Sequence, residues 1–259
     1  MITIKHPIDF PDTYPLDRIG PLKDILFFDI ETTGFSGETS QLYLIGCTYF
    51  DGFGWKLIQW FADTRQAEKE LLDPFFEFLK RFKILIHFNG DRFDIPYLLK
   101  CCERLGLDYN FNDLASIDIF KKIKPYRKLL KLENMKQKSI EQFLGVHRED
   151  KYNGGQLIEV YRDYLHTHEK SLFDLLILHN ADDLRGMPSI LPILNYADLF
   201  ESDFTLCSHK LYSYTDEAGY SHPFVNLLWE SPYSIPIPLE YTLNPLSLEL
   251  HDSYLACNL

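Results

Sequence analysis

The sequence predicts an α/β fold: a mixed sheet of three antiparallel strands followed by parallel strands, flanked by helices, and a small β-rich C-terminal appendage. The segment ILFFD at 25–29 is apolar at successive positions, as expected for a central strand that is covered on both faces. The strand-like segments at 42–50 and 55–62 are separated by DGFG, which indicates a hairpin. Farther along, buried strand-like segments alternate with helical ones.

Helical periodicity predicts several helices, with two further strands among them. Asp63 and Thr64 are suitable N-caps for the first helix, and Gly106 is a suitable end for the second. The predicted helices cover 63–82, 94–106, 139–145, 154–170 and 171–194, and the predicted strands cover 83–89 and 114–120.

The pattern of the chain changes near residue 200, where the helical periodicity ends. Strand-like pieces follow, and five prolines lie between Pro223 and Pro245. We therefore expect an N-terminal extension over 1–21, a main domain over 22–199 and a β-rich appendage of unknown function over 200–259.

The composition is that of a globular protein with a sizeable core, since 46% of the 259 residues are hydrophobic and 25% are charged. No apolar run is long enough to span a bilayer, and the N-terminal segment lacks the apolar core of a signal peptide. The five cysteines are odd in number and form no C-x-x-C pair, which is typical of reduced thiols. We therefore expect a cytoplasmic protein with no membrane segment.

The charge is unevenly distributed. The net charge of −12 disfavours binding to nucleic acid, whose phosphates would be repelled. The block Lys121–Lys138, however, contains eight basic residues and one acidic residue. Such a block is either a solvated basic surface or an arm that grips phosphates on an otherwise acidic protein.

Two carboxylates, Asp29 and Glu31, lie at the end of the first strand. Residues i and i+2 of a strand point to the same side, so both project together where ligands bind in α/β sheets. Two carboxylates this close repel each other unless a cation lies between them. The alternative is that Asp29 caps a turn and that Glu31 is solvated.

A second acidic position follows the strand at 83–89. Asn89 and Gly90 end this strand, and Asp91 or Asp94 opens the next helix. Because aspartate is a common helix N-cap, and Asp94 precedes Ile95 and Pro96, capping alone explains this aspartate. This aspartate indicates a functional site only in combination with the other acidic residues.

A third acidic position lies on the helix at 171–194. Helical spacing places His179 and Asp183 one turn apart within an apolar stripe, with Asp182 at its rim. An ionised carboxylate that faces a core is costly unless it is paired or bound to metal. A buried hydrogen bond between His179 and Asp183 is the alternative.

Taken in order, D-x-E at Asp29 and Glu31, N-x-x-x-F-D from Asn89 to Asp94 and H-x-x-x-D from His179 to Asp183 resemble the DEDD superfamily of 3′→5′ exonucleases. The stretches FFDIETTGFSGETSQLYLIG, HFNGDRFDIPYL and KSIEQFLGVHREDKYNGGQLIEVYRDY resemble bacterial predicted exonucleases of the YprB type, which are similar to proofreading domains of family B DNA polymerases. The resemblance covers about 22–195 and implies a ribonuclease-H-like fold. The final motif has the spacing of the tyrosine subgroup, but His179 stands where that subgroup has Tyr.

The resemblance implies two divalent cations, Mg²⁺ or Mn²⁺, at the scissile phosphate. It assigns Asp29 to both ions, Glu31 and Asp183 to the first, and Asp94 to the second. His179 is the residue that would orient or deprotonate the attacking water. Carboxylate oxygens suit these ions, and the sequence shows no Cys/His cluster typical of zinc.

The expected substrate is single-stranded DNA or RNA with a 3′ end, which needs a basic track and aromatic rings for base stacking. Phe35, just after the D-x-E turn, is the ring we expect against the terminal base, although a packing role would also explain it. The residues expected to contact nucleic acid are Thr32, Phe35, Asn89, Phe93, Lys121, Lys122 and Lys124.

The sequence is also compatible with two alternative functions. The altered His179 motif and the acidic net charge leave room for a non-catalytic nucleic-acid-binding module with the same fold. An endonuclease of the ribonuclease H kind, acting on RNA–DNA hybrids, is the other. The early D-x-E pair and the late H-x-x-x-D favour cutting from an end instead.

Overall fold

The computed structural model describes residues 1–146, 154–243 and 246–258. The chain forms two compact units. The first contains residues 1–121 and 146–189, and the second contains 122–145 and 190–259. The boundaries predicted from the sequence, at residues 22 and 200, stay a prediction.

The first unit is built on a six-stranded mixed sheet with the strand order β1-β4-β3-β2-β5-β6. The pairings β1/β4, β4/β3 and β3/β2 are antiparallel, and β2/β5 and β5/β6 are parallel. The predicted mixed sheet is therefore confirmed, with β1 as an additional edge strand. The strands are β1 (Ile2–Pro7), β2 (Ile25–Thr32), β3 (Leu42–Phe50), β4 (Trp55–Phe61), β5 (Ile84–His87) and β6 (Ala115–Asp118).

The two central strands are buried on both faces, as their unbroken apolar sequences predict. The hairpin between β3 and β4 forms because the Asp51 carboxylate accepts hydrogen bonds from the N–H groups of Phe53 and Gly54, both at 3.0 Å. Gly52 has φ +98°, a conformation that favours glycine. The DGFG segment therefore folds as the turn that the sequence predicts.

The α-helices of the described residues are α1 (Glu68–Leu79), α2 (Asp94–Leu105), α3 (Ile119–Ile123), α4 (Gln137–Phe143), α5 (Gly154–Thr167), α6 (Lys170–Ile190) and α7 (Leu194–Glu201). Helix α2 ends at Gly106, as predicted. This glycine has φ +67°, and its N–H donates to the carbonyl groups of Cys102 and Glu103.

Helix α1 is shorter than the predicted span of 63–82. Thr64 makes no side-chain capping hydrogen bond, and a short 3₁₀ helix over Arg65–Ala67 precedes the α-helix. The Asp63 carboxylate pairs instead with the N-terminal amine of Met1 at 2.6 Å. The predicted cap at Asp63 and Thr64 is therefore wrong, because Asp63 pairs with Met1 and Thr64 makes no capping hydrogen bond.

The second unit contains α4, α7 and a five-stranded antiparallel sheet with the order β7-β8-β11-β10-β9. This sheet confirms the predicted β-rich C-terminal appendage. The Tyr196 hydroxyl joins α7 to the segment before β9 by donating to the Ile237 carbonyl at 2.6 Å. The strands are β7 (Thr205–Thr215), β8 (Ser221–Glu230), β9 (Leu239–Leu243), β10 (Leu246–His251) and β11 (Tyr254–Asn258).

Among the described residues, no helix is both long enough and apolar enough to span a bilayer.

Candidate functional site

Strand β2 presents Asp29 and Glu31 on the face of the sheet that α6 covers. The pairing of β2 with β5 involves Ile25–Phe27, so both carboxylates lie beyond it. The Asn180 amide of α6 donates to Asp29 Oδ2 at 2.8 Å, which places Asp29 under that helix. Glu31 is buried beside it, with 8% of the residue exposed. The two side chains therefore share one face, as their spacing predicts.

Gly46 on β3 allows α6 to lie directly on the sheet. A Cβ atom at this position would lie 2.0 Å from Asn180 Oδ1 and 2.5 Å from Leu184 Cδ1. The same Asn180 oxygen accepts a hydrogen bond from the Gln59 side chain at 2.9 Å. Because Asn180 is fixed by Gln59, its amide nitrogen is directed at Asp29. The sequence analysis did not identify Asn180, although a glycine within a buried strand indicates a close approach.

His179 and Asp183 of α6 face Glu31. His179 Nε2 lies 3.6 Å from Glu31 Oε1 and 3.6 Å from Asp183 Oδ2. Both distances exceed an ordinary hydrogen bond. One ligand atom from each residue lies within 4.8 Å of the others, which is a spacing that a metal ion can bridge.

Asp94, the first residue of α2, also lies close to this group. Its carboxylate accepts a hydrogen bond from the Ile30 N–H at 3.2 Å, which ties the start of α2 to β2. Asp94 therefore contacts the backbone of the strand that bears Asp29 and Glu31, rather than only capping its own helix. Only 5% of Asp94 is exposed.

The site brings several carboxylates together in a buried environment, which raises the pKa values of Asp94 and Asp29. Burial raises the pKa of Asp94 to about 7, against hydrogen bonds from backbone N–H groups, and the carboxylates of Asp118 and Asp183 add to the rise. Burial also raises the pKa of Asp29 well above its ordinary value, as do the carboxylates of Glu31, Asp183 and Asp94. The Asn180 hydrogen bond opposes this rise.

The donor set fits divalent cations. The four carboxylates are hard oxygen ligands, which Mg²⁺ and Mn²⁺ prefer, and His179 adds one imidazole nitrogen. Bound cations reverse the electrostatic cost of assembling such groups. The raised pKa values of Asp29 and Asp94 are the expected consequence of burial and of repulsion between the carboxylates. The arrangement is therefore able to hold divalent ions between β2, α2 and α6.

Tyr43 on β3 contacts the side chain of Glu31. Its buried hydroxyl donates a hydrogen bond to the Glu31 carboxylate, and its ring stacks on Tyr161 of α5 at 4.3 Å between centroids. Burial and the nearby charges of Glu31 and Asp29 raise the pKa of Tyr43 well above its ordinary value, so the hydroxyl keeps its proton. Tyr43 is a second residue that the sequence analysis missed.

A second group of potential ligands consists of His87, Asp91 and Asp118. Asp118 accepts hydrogen bonds from the N–H groups of Asn89 at 2.9 Å, Asp91 at 3.3 Å and Lys121 at 3.2 Å. These bonds hold the loop that leads from β5 to α2. We therefore interpret Asp118 as a structural carboxylate.

His87 completes the support of this loop. Its Nδ1 accepts a hydrogen bond from the Gly90 N–H at 3.0 Å, and its Nε2 lies 2.8 Å from Ser116 Oγ. Burial lowers the pKa of His87 despite the carboxylates of Asp118 and Asp91, which is consistent with a neutral imidazole. A Cβ at Gly90 would lie 2.6 Å from the His87 ring, so the Asn-Gly pair allows the loop to close over it.

Phe35 and Phe93 form an aromatic pair beside the acidic group. The Phe35 ring is 94% exposed, and its centroid lies 6.3 Å from that of Phe93, which also contacts Tyr97. Thr32 holds the turn before Phe35 by donating from its hydroxyl to the Gly34 carbonyl at 2.7 Å. Asn89 has φ +64°, which shapes the loop before Phe93.

The basic residues are distributed over both units. Lys121 is exposed and pairs with Asp91 at 2.9 Å. Lys122 and Lys124 belong to the second unit. Their assignment as nucleic-acid contacts stays a prediction, as do the roles of the other site residues.

The fold and the site together define a ribonuclease-H-like protein with an acidic centre that is suited to divalent metal. The sequence family described as the RNase H superfamily matches residues 26–195, which is more than half of the chain. The chain belongs to this family.

Curated relatives of the chain include DNA polymerases of Thermococcus species. The DNA polymerase of Thermococcus kodakarensis is 31% identical over 120 residues, which are 40% of this chain and 7% of the relative. The DNA polymerase of Thermococcus sp. (strain 9oN-7) is 32% identical over 122 residues, which are 40% of this chain and 16% of the relative. The chain thus spans a small part of the length of these relatives.

The family B DNA polymerase of Pyrobaculum calidifontis is a structural neighbour. It has a TM-score of 0.53 and 16% identity, and the similarity covers 68% of this chain and 26% of that chain. At this identity the neighbour supports the fold alone. The ribonuclease-H-like fold and the similarity to family B DNA polymerases, both predicted from the sequence, are confirmed, while the YprB-type assignment stays a prediction.

Proposed function

We propose that the protein is a metal-dependent 3′→5′ exonuclease that hydrolyses phosphodiester bonds of single-stranded nucleic acid. The observation that carries this proposal is the convergence of Asp29, Glu31, Asp94 and Asp183, which come from three distant segments, around a partly buried site. Membership of the RNase H superfamily and similarity to DNA polymerases support it.

Two Mg²⁺ or Mn²⁺ ions are the proposed cofactors, held by Asp29, Glu31, Asp94 and Asp183. When bound, such ions supply a water of lowered pKa and positive charge at the leaving oxygen. Asn180 would fix the orientation of Asp29, and Tyr43 would fix that of Glu31, because each donates a hydrogen bond to its carboxylate. Both ligands are therefore positioned before substrate arrives.

His179 is the proposed proton acceptor or water-orienting group. Its Nε2 lies between the carboxylates of Glu31 and Asp183, at 3.6 Å from each. At this position Nε2 could orient the attacking water or accept a proton from it. His179 thus occupies the position at which the tyrosine subgroup of DEDD exonucleases has Tyr.

The terminal base would stack on the Phe35 ring, which is largely exposed and steadied at its edge by Phe93. Stacking on an aromatic ring accepts any base, because every base has a π-face. Such a contact suits an enzyme that removes nucleotides successively from a strand end.

The test is release of 5′-mononucleotides from a single-stranded oligonucleotide in the presence of Mg²⁺ or Mn²⁺. A 5′ label yields a ladder that shortens from the 3′ end, whereas cutting from the 5′ end releases the label at once. Asp29→Asn and Asp183→Asn should abolish release. Asp174→Asn is the matched control on α6, since this carboxylate is exposed and pairs with Lys170.

Either of two results would contradict the proposal. The first is the absence of release by the wild-type protein with either ion. The second is release that Asp29→Asn and Asp183→Asn leave unchanged. Binding of the oligonucleotide without any release would favour the non-catalytic binding module instead.

A further inference from the structure

A polar cleft of about 220 Å³ lies beside the loop that joins β2 to β3. Two arginines line it, one from the 3₁₀ helix before α1 and one from α5. We name it the arginine cleft. Its lining includes Thr33, Thr39, Gln41, Arg65, Tyr161 and Arg162.

The arginine cleft is close to the acidic site. Thr33 follows directly on the last residue of β2, and its N–H donates to the Gln41 carbonyl at 2.9 Å. Tyr161, which also lines the cleft, stacks on Tyr43, whose hydroxyl donates to Glu31. One pair of stacked rings therefore separates the cleft from a proposed metal ligand.

Arg65 offers an uncompensated positive charge to this cleft. The side chain is exposed, and no carboxylate within the described ranges lies at ion-pair distance from its guanidinium. The Gln41 amide fixes the backbone of Arg65 by donating to its carbonyl at 3.1 Å. Arg162 is also exposed and pairs with Glu159 of its own helix at 2.5 Å. An exposed pair of this kind exchanges readily with another anion.

We propose that the arginine cleft binds phosphate groups of the nucleic-acid strand whose 3′ end occupies the acidic site. This inference rests on the proposed function. Guanidinium groups match phosphate by paired N–H donors, and hydroxyls such as those of Thr33 and Thr39 add neutral donors. Because the chain carries a net charge of −12, a strand needs local cations of this kind to approach the carboxylates.

The test measures binding of a fluorescent 12-nucleotide oligothymidylate by anisotropy over a range of salt concentrations, in the Asp183→Asn background so that the strand stays intact. The double substitution Arg65→Gln and Arg162→Gln should weaken binding about tenfold. The slope of log affinity against log salt should fall in magnitude by about 1.4, since each phosphate contact on a single strand contributes about 0.7.

A matched control and a conservative variant separate charge from structure. Lys69→Gln with Lys170→Gln removes two exposed positive charges outside the cleft and should leave affinity and slope unchanged. Arg65→Lys with Arg162→Lys keeps the charges and should restore most of the slope. Thermal melting of each variant should match that of the wild type, because both arginines are exposed.

Unchanged affinity and slope in the double glutamine variant would overturn the inference. An equal loss in the control variant would also overturn it, because the effect would then reflect net charge alone. Neither result affects the proposed function, which depends on release of mononucleotides by the wild-type protein. Failure of that release would instead contradict the proposed function.

Discussion

The substitution Gly46→Ala tests the contact between β3 and α6 that assembles the candidate site. The new Cβ would lie 2.0 Å from Asn180 Oδ1 and 2.5 Å from Leu184 Cδ1. Both distances are far below van der Waals contact, and a helix cannot move away from a buried strand without losing packing. Asn180 must therefore shift and lose its hydrogen bonds to Gln59 and Asp29.

The expected cost is about 3 kcal/mol of unfolding free energy, from overpacking at about 2 kcal/mol and two lost buried hydrogen bonds at about 0.5 kcal/mol each. For a domain of this size, that cost lowers the melting temperature by about 6–12 °C. Because Asp29 loses its amide donor, mononucleotide release should fall more steeply than stability explains. Thermal melting and release at a temperature well below melting measure the two effects.

Gly54→Ala is the matched control, because nothing lies within 4 Å of a Cβ placed there. This control should change the unfolding free energy by no more than about 0.5 kcal/mol. If Gly46→Ala has the same melting temperature and the same rate of mononucleotide release as Gly54→Ala, α6 does not pack on β3 as described. The argument that places Asn180 over Asp29 would then fail.

Three further predictions concern single side chains. Phe35→Ala should raise the KM for a single strand by a factor that corresponds to about 1–3 kcal/mol, whereas Phe53→Ala, at a similarly exposed ring, should leave KM unchanged. Asp118→Ala should lower the unfolding free energy by about 3 kcal/mol in urea, since three N–H groups lose their acceptor, while Mn²⁺ stoichiometry stays the same. Without metal, stability should fall as pH rises from about 4 to about 7, because Asp94 must lose a proton whose folded pKa is about 7 and whose unfolded pKa is about 3.9. Asp29, whose pKa is also raised, contributes to the same fall. Asp94→Asn should therefore lessen the fall, and saturating Mg²⁺ should flatten it. An equally steep fall in Asp94→Asn would contradict the prediction.

The sheet and the order of its elements could be predicted because the signals are local. Unbroken apolar runs predict β2 and β3 as buried central strands, and DGFG predicts the turn after β3. Strand β1 was missed, although Ile2 and Ile4 alternate with polar residues, because a single short alternation near a terminus is a weak signal.

The supporting residues of the site could not be predicted because they depend on contacts between distant segments. Asn180 gains its role only from Gly46 and Gln59, which lie on two other strands. Tyr43 lies within a buried strand, and nothing in its neighbourhood in the sequence indicates that its hydroxyl reaches Glu31. Residue spacing in the sequence therefore identifies the carboxylates of each motif. The side chains that orient these carboxylates are determined by packing between distant segments.

Calorimetric titration with Mn²⁺ in the absence of nucleic acid tests most directly whether the four carboxylates form one cation site. The wild-type protein should bind two ions, and Asp29→Asn and Asp183→Asn should each remove at least one, while Asp174→Asn binds as the wild type does. Binding of no Mn²⁺ by the wild type, or the same stoichiometry and affinity in Asp29→Asn and Asp183→Asn, would contradict this account.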